Sequence, residues 1–193
     1  MKGKIVIITI IAIAAIIGVA FAAIYFGTYN NIVGLEASAD EKWAQVEQEL
    51  QRRYDLIPNV VTAAKLYIEY EGSVLEEITR LRSQWAAATQ TGDTEAINNA
   101  TGELESSLSR LLVVIEAYPK LKASQIVEDL IIELEGTENR ISTERMRLNE
   151  AVRDYNVAIK ASPGNLWAQG WGFEAKAYFE AQVGAETPPT IPS

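Results

Sequence analysis

Apolar positions along this chain follow two patterns. From Ile5 to Phe26 they are nearly continuous, 22 residues whose only polar side-chain atoms are the hydroxyls of Thr9 and Tyr25. From Ile32 onward they recur in steps of three and four, which places them on one face of a helix. One series is Ile32, Leu35, Ala39, Trp43, Val46, Leu50 and Tyr54. A second runs from Ile57, Val60, Val61 and Ala64 through Tyr67, Ile68, Val74, Leu75, Ile78 and Leu81 to Trp85. The third is Ile97, Leu104, Leu108, Leu111, Leu112 and Ile115. The fourth, from Val127 and Leu134 through Ile141, Leu148, Val152 and Tyr155 to Ile159, keeps a nearly seven-residue repeat. No strand-like alternation competes, so the spacing predicts an all-α protein.

Turn residues divide the stripes. Asp55 to Pro58 is expected to separate the first two helices, with Asp55 capping the second and Pro58 in its first turn. Gln90 to Thr94, containing Gly92-Asp93, separates the second from the third. Tyr118-Pro119 precedes the fourth, and Ser162-Pro163-Gly164-Asn165 ends it. Short connections between long helices force neighbours to run antiparallel. The expected body is therefore an antiparallel up-down-up-down four-helix bundle with long helices over residues 29–161. An aromatic segment, 162–182, is expected to pack on the bundle base, with a flexible tail at 183–193. Lys122 to Ala161 would reach about 60 Å as one helix against about 40 Å for Asn59 to Trp85. The fourth helix must therefore overhang or bend near Gly136.

The continuous run, with its flanks, makes residues 1–28 a transmembrane anchor. At 1.5 Å per residue its apolar part spans about 33 Å, the thickness of a bilayer core. Its nine Ile, two Val and two Phe favour insertion by roughly 4 to 8 kcal/mol. Ala20-Phe21-Ala22 also fits a signal-peptide cleavage site, but the run continues through Ile24, Tyr25 and Phe26, and Tyr25, Phe26 and Tyr29 read as an interfacial aromatic belt. The expectation is an uncleaved single-pass anchor. Lys2 and Lys4 on its short side put the N-terminus in the cytoplasm and the bundle on the extracytoplasmic side.

Charge and composition narrow the function. Residues 29–193 carry 15 basic against 26 acidic side chains, a net charge of −11. So acidic a body is repelled by phosphate backbones, which argues against a nucleic-acid partner. The chain has no Cys and no His. That removes disulfides, thiolate and imidazole metal ligands, and the commonest nucleophiles and general base. No convergent Asp, Glu, Lys, Tyr or Ser motif replaces them, and no cofactor or metal is expected. Di-iron bundles use a Glu-x-x-His motif that a chain without His cannot supply. Glu71 in the second stripe, and Glu138 and Arg145 in the fourth, interrupt apolar faces, so each is expected to find an opposite charge or to flank the seam. Asn99-Ala100-Thr101 matches a glycosylation sequon, a short pattern that carries no weight alone.

Several blocks carry a family resemblance. Trp43-Ala44-Gln45-Val46 and Gln51-Arg52-Arg53-Tyr54-Asp55-Leu56-Ile57-Pro58-Asn59-Val60-Val61 come first. Glu116-Ala117-Tyr118-Pro119-Lys120-Leu121-Lys122-Ala123, Gly136-Thr137-Glu138-Asn139-Arg140-Ile141 and Asn149-Glu150-Ala151-Val152-Arg153-Asp154-Tyr155-Asn156 follow in order. With Tyr29-Asn30, Gly172-Phe173 and Tyr178-Phe179-Glu180-Ala181, they make the chain resemble the LemA family over nearly its whole length. It departs from that pattern at Leu148 and Ser162. The resemblance implies a membrane-anchored helical bundle with no established enzymatic activity, some members being linked to membrane organelle or envelope organisation.

Two candidate surfaces follow. Antiparallel alternation makes Tyr54 to Asn59 and Tyr118 to Leu121 neighbours at the tip farthest from the membrane. That candidate partner-binding tip comprises Arg52, Arg53, Tyr54, Ile57, Tyr118, Lys120 and Leu121, residue types enriched where proteins meet. The same alternation returns the last helix to the bilayer, so Trp167, Trp171 and Phe173 join Tyr25, Phe26 and Tyr29 as a candidate membrane interface. The expected function is a membrane-anchored scaffold or protein-interaction module, self-assembling or recruiting other membrane or envelope proteins, without catalysis. The alternative is an accessory subunit of a membrane protease or lipid-handling enzyme.

Overall fold

The computed structural model describes residues 2–67 and 72–179; Ile68, Glu71, Glu180, Ala181 and the tail at 183–193 lie outside them. The described residues form α1 (Lys2–Lys65), α2 (Gly72–Thr91), α3 (Thr94–Ala117), α4 (Pro119–Lys122) and α5 (Gln125–Lys160). A 3₁₀ turn at Gly164–Leu166 follows, and there is no strand among them. The chain is all-α with one long, apolar N-terminal helix, as the periodicity predicts. The described residues fall into two compact units: one takes those of 1–44 and 147–178, the other those of 45–146 together with Phe179.

The second unit is built by the apolar stripes. Val46, Leu50, Tyr54, Ile57 and Val60 of α1, Leu75, Ile78, Leu81 and Trp85 of α2, and Ile97, Leu104, Leu108 and Ile115 of α3 are all buried. Leu121 of α4 and Val127, Leu134 and Ile141 of α5 join them. Asp93 caps α3, its carboxylate accepting from the Ala96 N–H at 3.0 Å. Pro119 opens α4 at its first turn, where a missing N–H costs nothing. Thr101 of the sequon is buried within α3.

The expected break at Asp55 to Pro58 is absent: α1 runs through Pro58 to Lys65. A proline inside a helix costs about 3 kcal/mol, through the lost N–H and the clash with the carbonyl four residues back. Burying Ile57, Val60 and Val61 on the same stripe returns about 1.5–3 kcal/mol each, which outweighs that cost. The acceptor stranded by Pro58 is the Tyr54 carbonyl, and Arg82 of α2 donates its Nε–H to it at 3.0 Å. Asp55 is accordingly not a cap. It accepts from Gln51 at 2.8 Å and lies 3.5 Å from Arg82. The chain turns later, at Leu66 and Tyr67.

The first unit has its own small core of Ile32, Tyr155, Ile159 and Ala168, with Leu35, Ala158, Trp171 and Phe173 packed against it. Gly164 is forced here, because a Cβ would stand 2.0 Å from the Ala158 carbonyl oxygen. The turns from Gly164 close at Gly172, whose φ of +85° is left-handed. The Phe173 N–H reaches the Ala168 carbonyl at 3.0 Å and the Gly172 N–H the Gln169 carbonyl at 3.1 Å. This paired closure, with a glycine at its left-handed position, aims Phe173 back at the core.

Candidate membrane-interface site

The apolar run projects outward on every side. Ile5, Ile8, Ile16, Val19 and Phe21 are each more than half exposed. Among the described residues no core covers them, which fits a helix whose solvent is lipid.

At the end of that run, Phe21, Tyr25 and Tyr29 share one face of α1 by their spacing of four. Trp167 and Trp171, also four apart, pack against it. Ring centroids lie 5.9 Å apart for Phe21 and Trp167, 5.3 Å for Tyr25 and Trp167, 5.0 Å for Tyr25 and Trp171, and 5.2 Å for Tyr29 and Trp171. Phe173 completes the cluster 5.8 Å from Tyr29. The contacts are mostly edge-to-face, the arrangement that ring quadrupoles favour, each adding about 0.5–1.5 kcal/mol to area burial. The indole N–H of Trp171 donates to the Tyr25 hydroxyl at 2.8 Å. Five of the six residues expected at the interface are therefore joined directly. Phe26 touches the group through Tyr25, at 5.5 Å, and otherwise stays exposed.

Beyond Phe173 the chain lies extended along the same unit. The Asn156 side chain grips Lys176 by its main chain, donating to its carbonyl at 2.8 Å and accepting from its N–H at 2.9 Å. Tyr155 donates its hydroxyl to the Glu174 carbonyl at 2.8 Å. The Lys176 ammonium meets Asp40 at 2.8 Å and Glu36 at 3.6 Å. Burial works against that charge, but the Asp40 hydrogen bond and the two carboxylates overcome it and hold the ammonium above its usual range. Burial and the nearby Glu36 likewise push the Tyr155 phenol up.

The residues expected at a partner-binding tip fare differently. Tyr54 and Ile57 sit inside α1, about two to three turns before its end, and are buried, as is Leu121. They belong to the core because the turn that was to expose them lies further along the chain. Arg53 is buried too and ion-paired. Only Arg52 and Lys120 are exposed, with Tyr118 partly so. Arg52 approaches Glu133 at 3.9 Å.

Arg53 belongs to a charge network inside the second unit. It donates to Glu138 and lies 3.7 Å from Glu105; Glu105 is also held by both Nη atoms of Arg145. The Arg145 guanidinium lies over the Phe179 ring at 4.5 Å. Glu138 and Arg145 thus find opposite charges as their places on the stripe require. Beside them Tyr54 sits edge-on to Trp85 at 4.6 Å. Its burial holds the phenol far above the ordinary range. Sequence reading missed Glu105, Arg82 and Asn156, whose roles depend on partners from other elements.

With the geometry in place, comparison with known proteins sharpens it. The sequence profile of the LemA family matches residues 42–192. Magnetosome proteins MamQ 1 and MamQ 2 of Paramagnetospirillum magneticum are each 26% identical to this chain, over 90% of its length and 72% of theirs. The magnetosome protein MamQ of Magnetospirillum gryphiswaldense is 26% identical, over 94% of this chain and 75% of its own.

Proposed function

Because the chain belongs to the LemA family, a family match that covers the helical body, we propose that it is a membrane-tethered scaffold that binds other membrane or envelope proteins or further copies of itself, and has no catalytic activity of its own. The observation that carries this reading is the aromatic lock of Trp167 and Trp171 onto Tyr25 and Tyr29. A lock at the mouth of an apolar helix fixes the packed residues after α5 against the bilayer end of α1, which gives a scaffold a firm base at the membrane. Among the described residues, Arg53, Glu105, Glu138 and Arg145 pair with one another, which favours a structural use of these charges. The names of the relatives, magnetosome proteins, favour membership of an assembled cellular structure over a free-standing catalyst.

In this reading Lys2 and Lys4 keep the N-terminus in the cytoplasm and the body outside. The test is co-purification from mild detergent, with wild type compared with the double charge reversal Arg52→Glu, Lys120→Glu. Both side chains are exposed, so helicity should persist while partner recovery falls. Recovery unchanged by the reversal moves the binding surface elsewhere. Recovery of a stoichiometric protease or lipid-modifying enzyme favours the accessory-subunit alternative.

A further inference from the structure

A groove of about 410 Å³ opens beside the aromatic lock. Ala23, Ile24, Gly27 and Ile32 of α1 with Ala158 and Ala161 of α5 make its apolar walls; Thr28, Asn31 and Ser162 supply polar groups. Its volume falls within the range of small-molecule pockets, which pair apolar walls with a few placed polar atoms.

The depth of the groove identifies its occupant. The apolar run ends at Phe26, and Asn31 lies five residues further, about 7 Å along the helix. The interfacial layer of one leaflet is about 5–7 Å thick, so with Phe26 at the hydrocarbon edge, Asn31 stands at the level of the phosphate headgroups. Ala23 and Ile24 belong both to the lipid-facing run and to the groove wall, so the groove continues the surface that acyl chains already coat. At Asn31 the polar atoms begin. The Thr28 hydroxyl is turned back onto the Ile24 carbonyl at 2.7 Å, whereas Asn31 and Ser162 are exposed at the rim.

We propose that this groove binds one glycerophospholipid, its acyl chain along Ala23 and Gly27 and its headgroup phosphate accepting hydrogen bonds from Asn31 and Ser162. The inference rests on the membrane-anchored reading above, and its test separates the two.

The test uses full-length protein in mild detergent with added dioleoyl phosphatidylethanolamine, and native mass spectrometry to count retained lipid. A Cβ at Gly27 meets nothing within 4 Å, so Gly27→Leu fills the groove without disturbing the backbone. Gly18 is equally open but does not line the groove, so Gly18→Leu is the control. Wild type and Gly18→Leu should retain one lipid per chain, and Gly27→Leu about ten-fold less. Asn31→Ala, at the exposed rim, should also weaken retention with helicity intact. Retention unchanged in both Gly27→Leu and Asn31→Ala overturns the proposal. So does a wild-type dimer that Gly27→Leu dissociates without change in lipid, since a second copy then fills the groove. Flotation with vesicles of the same lipid is measured in parallel. If wild type fails to float, the anchor reading falls and the groove with it; if every variant floats equally and only retention drops, the groove alone is responsible.

Discussion

Arg82 completes a helix to which it does not belong, and this can be measured. Pro58 leaves the Tyr54 carbonyl without its helical donor, inside a residue that is fully buried. Arg82 supplies the donor at 3.0 Å. Arg82→Ala should therefore cost about 1–3 kcal/mol, the penalty of an unpaired buried acceptor. Loss of the half-exposed contact with Asp55 adds at most about 1 kcal/mol, and Asp55→Asn measures that part alone. In a Pro58→Ala background the helix has its own N–H for Tyr54, so Arg82→Ala should lose most of its effect. The double-mutant cycle is expected to give a coupling of about 1–2 kcal/mol, above the roughly 0.3–0.5 kcal/mol scatter of independent sites. Denaturant unfolding of full-length protein in detergent, followed by circular dichroism, provides the four stabilities. Additive costs would mean that Arg82 acts through packing or through Asp55, and that α1 tolerates Pro58 for another reason.

Other outcomes follow from the same geometry. Glu105→Gln strips Arg145 of its carboxylate and should destabilise the protein by about 3–5 kcal/mol, whereas Arg153→Gln, at an exposed pair, should change the same unfolding midpoint little. Gly172→Ala places a side chain at φ +85°, which should cost about 1–2 kcal/mol and loosen Phe173, seen as faster hydrogen exchange at its amide. Tyr54, Tyr155 and Lys176 all titrate above their ordinary values. The folded state therefore holds protons that the unfolded state releases. Stability from these groups is full below about pH 10 and is lost as pH rises through the folded values; the part of the tyrosinate absorbance that belongs to Tyr54 and Tyr155 should appear together with unfolding rather than before it. Deleting Met1 to Thr28 should leave a soluble, mostly helical protein, but without Phe21 and Tyr25 the tryptophans at 167 and 171 lose partners, and their emission should become more open to aqueous quenchers.

Helical periodicity was legible because burial of one face is a local rule: Ile32, Val46, Leu50, Ile97, Leu104, Ile141 and Tyr155 all lie inside as their spacing demands. Gly92-Asp93 and Tyr118-Pro119 marked true helix ends for similarly local reasons. Pro58 misled because its remedy, the Arg82 guanidinium, comes from another helix. That single misplacement carried Tyr54 and Ile57 from an expected tip into the core. Glu138 and Arg145 announced a need for partners, yet nothing local named Arg53 and Glu105 as the answer. The aromatic lock was legible in part, since ring density after Trp167 was visible in the sequence. Its pairing with Phe21 was not, because Phe21 lies inside an apolar run where one ring looks like another.

The Asn156 clamp has a consequence for how this chain tolerates change. A side-chain amide that binds both the N–H and the carbonyl of Lys176 does not distinguish the residues flanking it, and Ala175 and Ala177 are exposed. Selection there acts on backbone course and on one cation, not on a string of letters. Saturation mutagenesis across residues 174–178 should therefore find two constraints, a positive charge at 176 and no proline there, where the N–H is bonded. Alignments will lose confidence along this stretch sooner than the structure itself diverges.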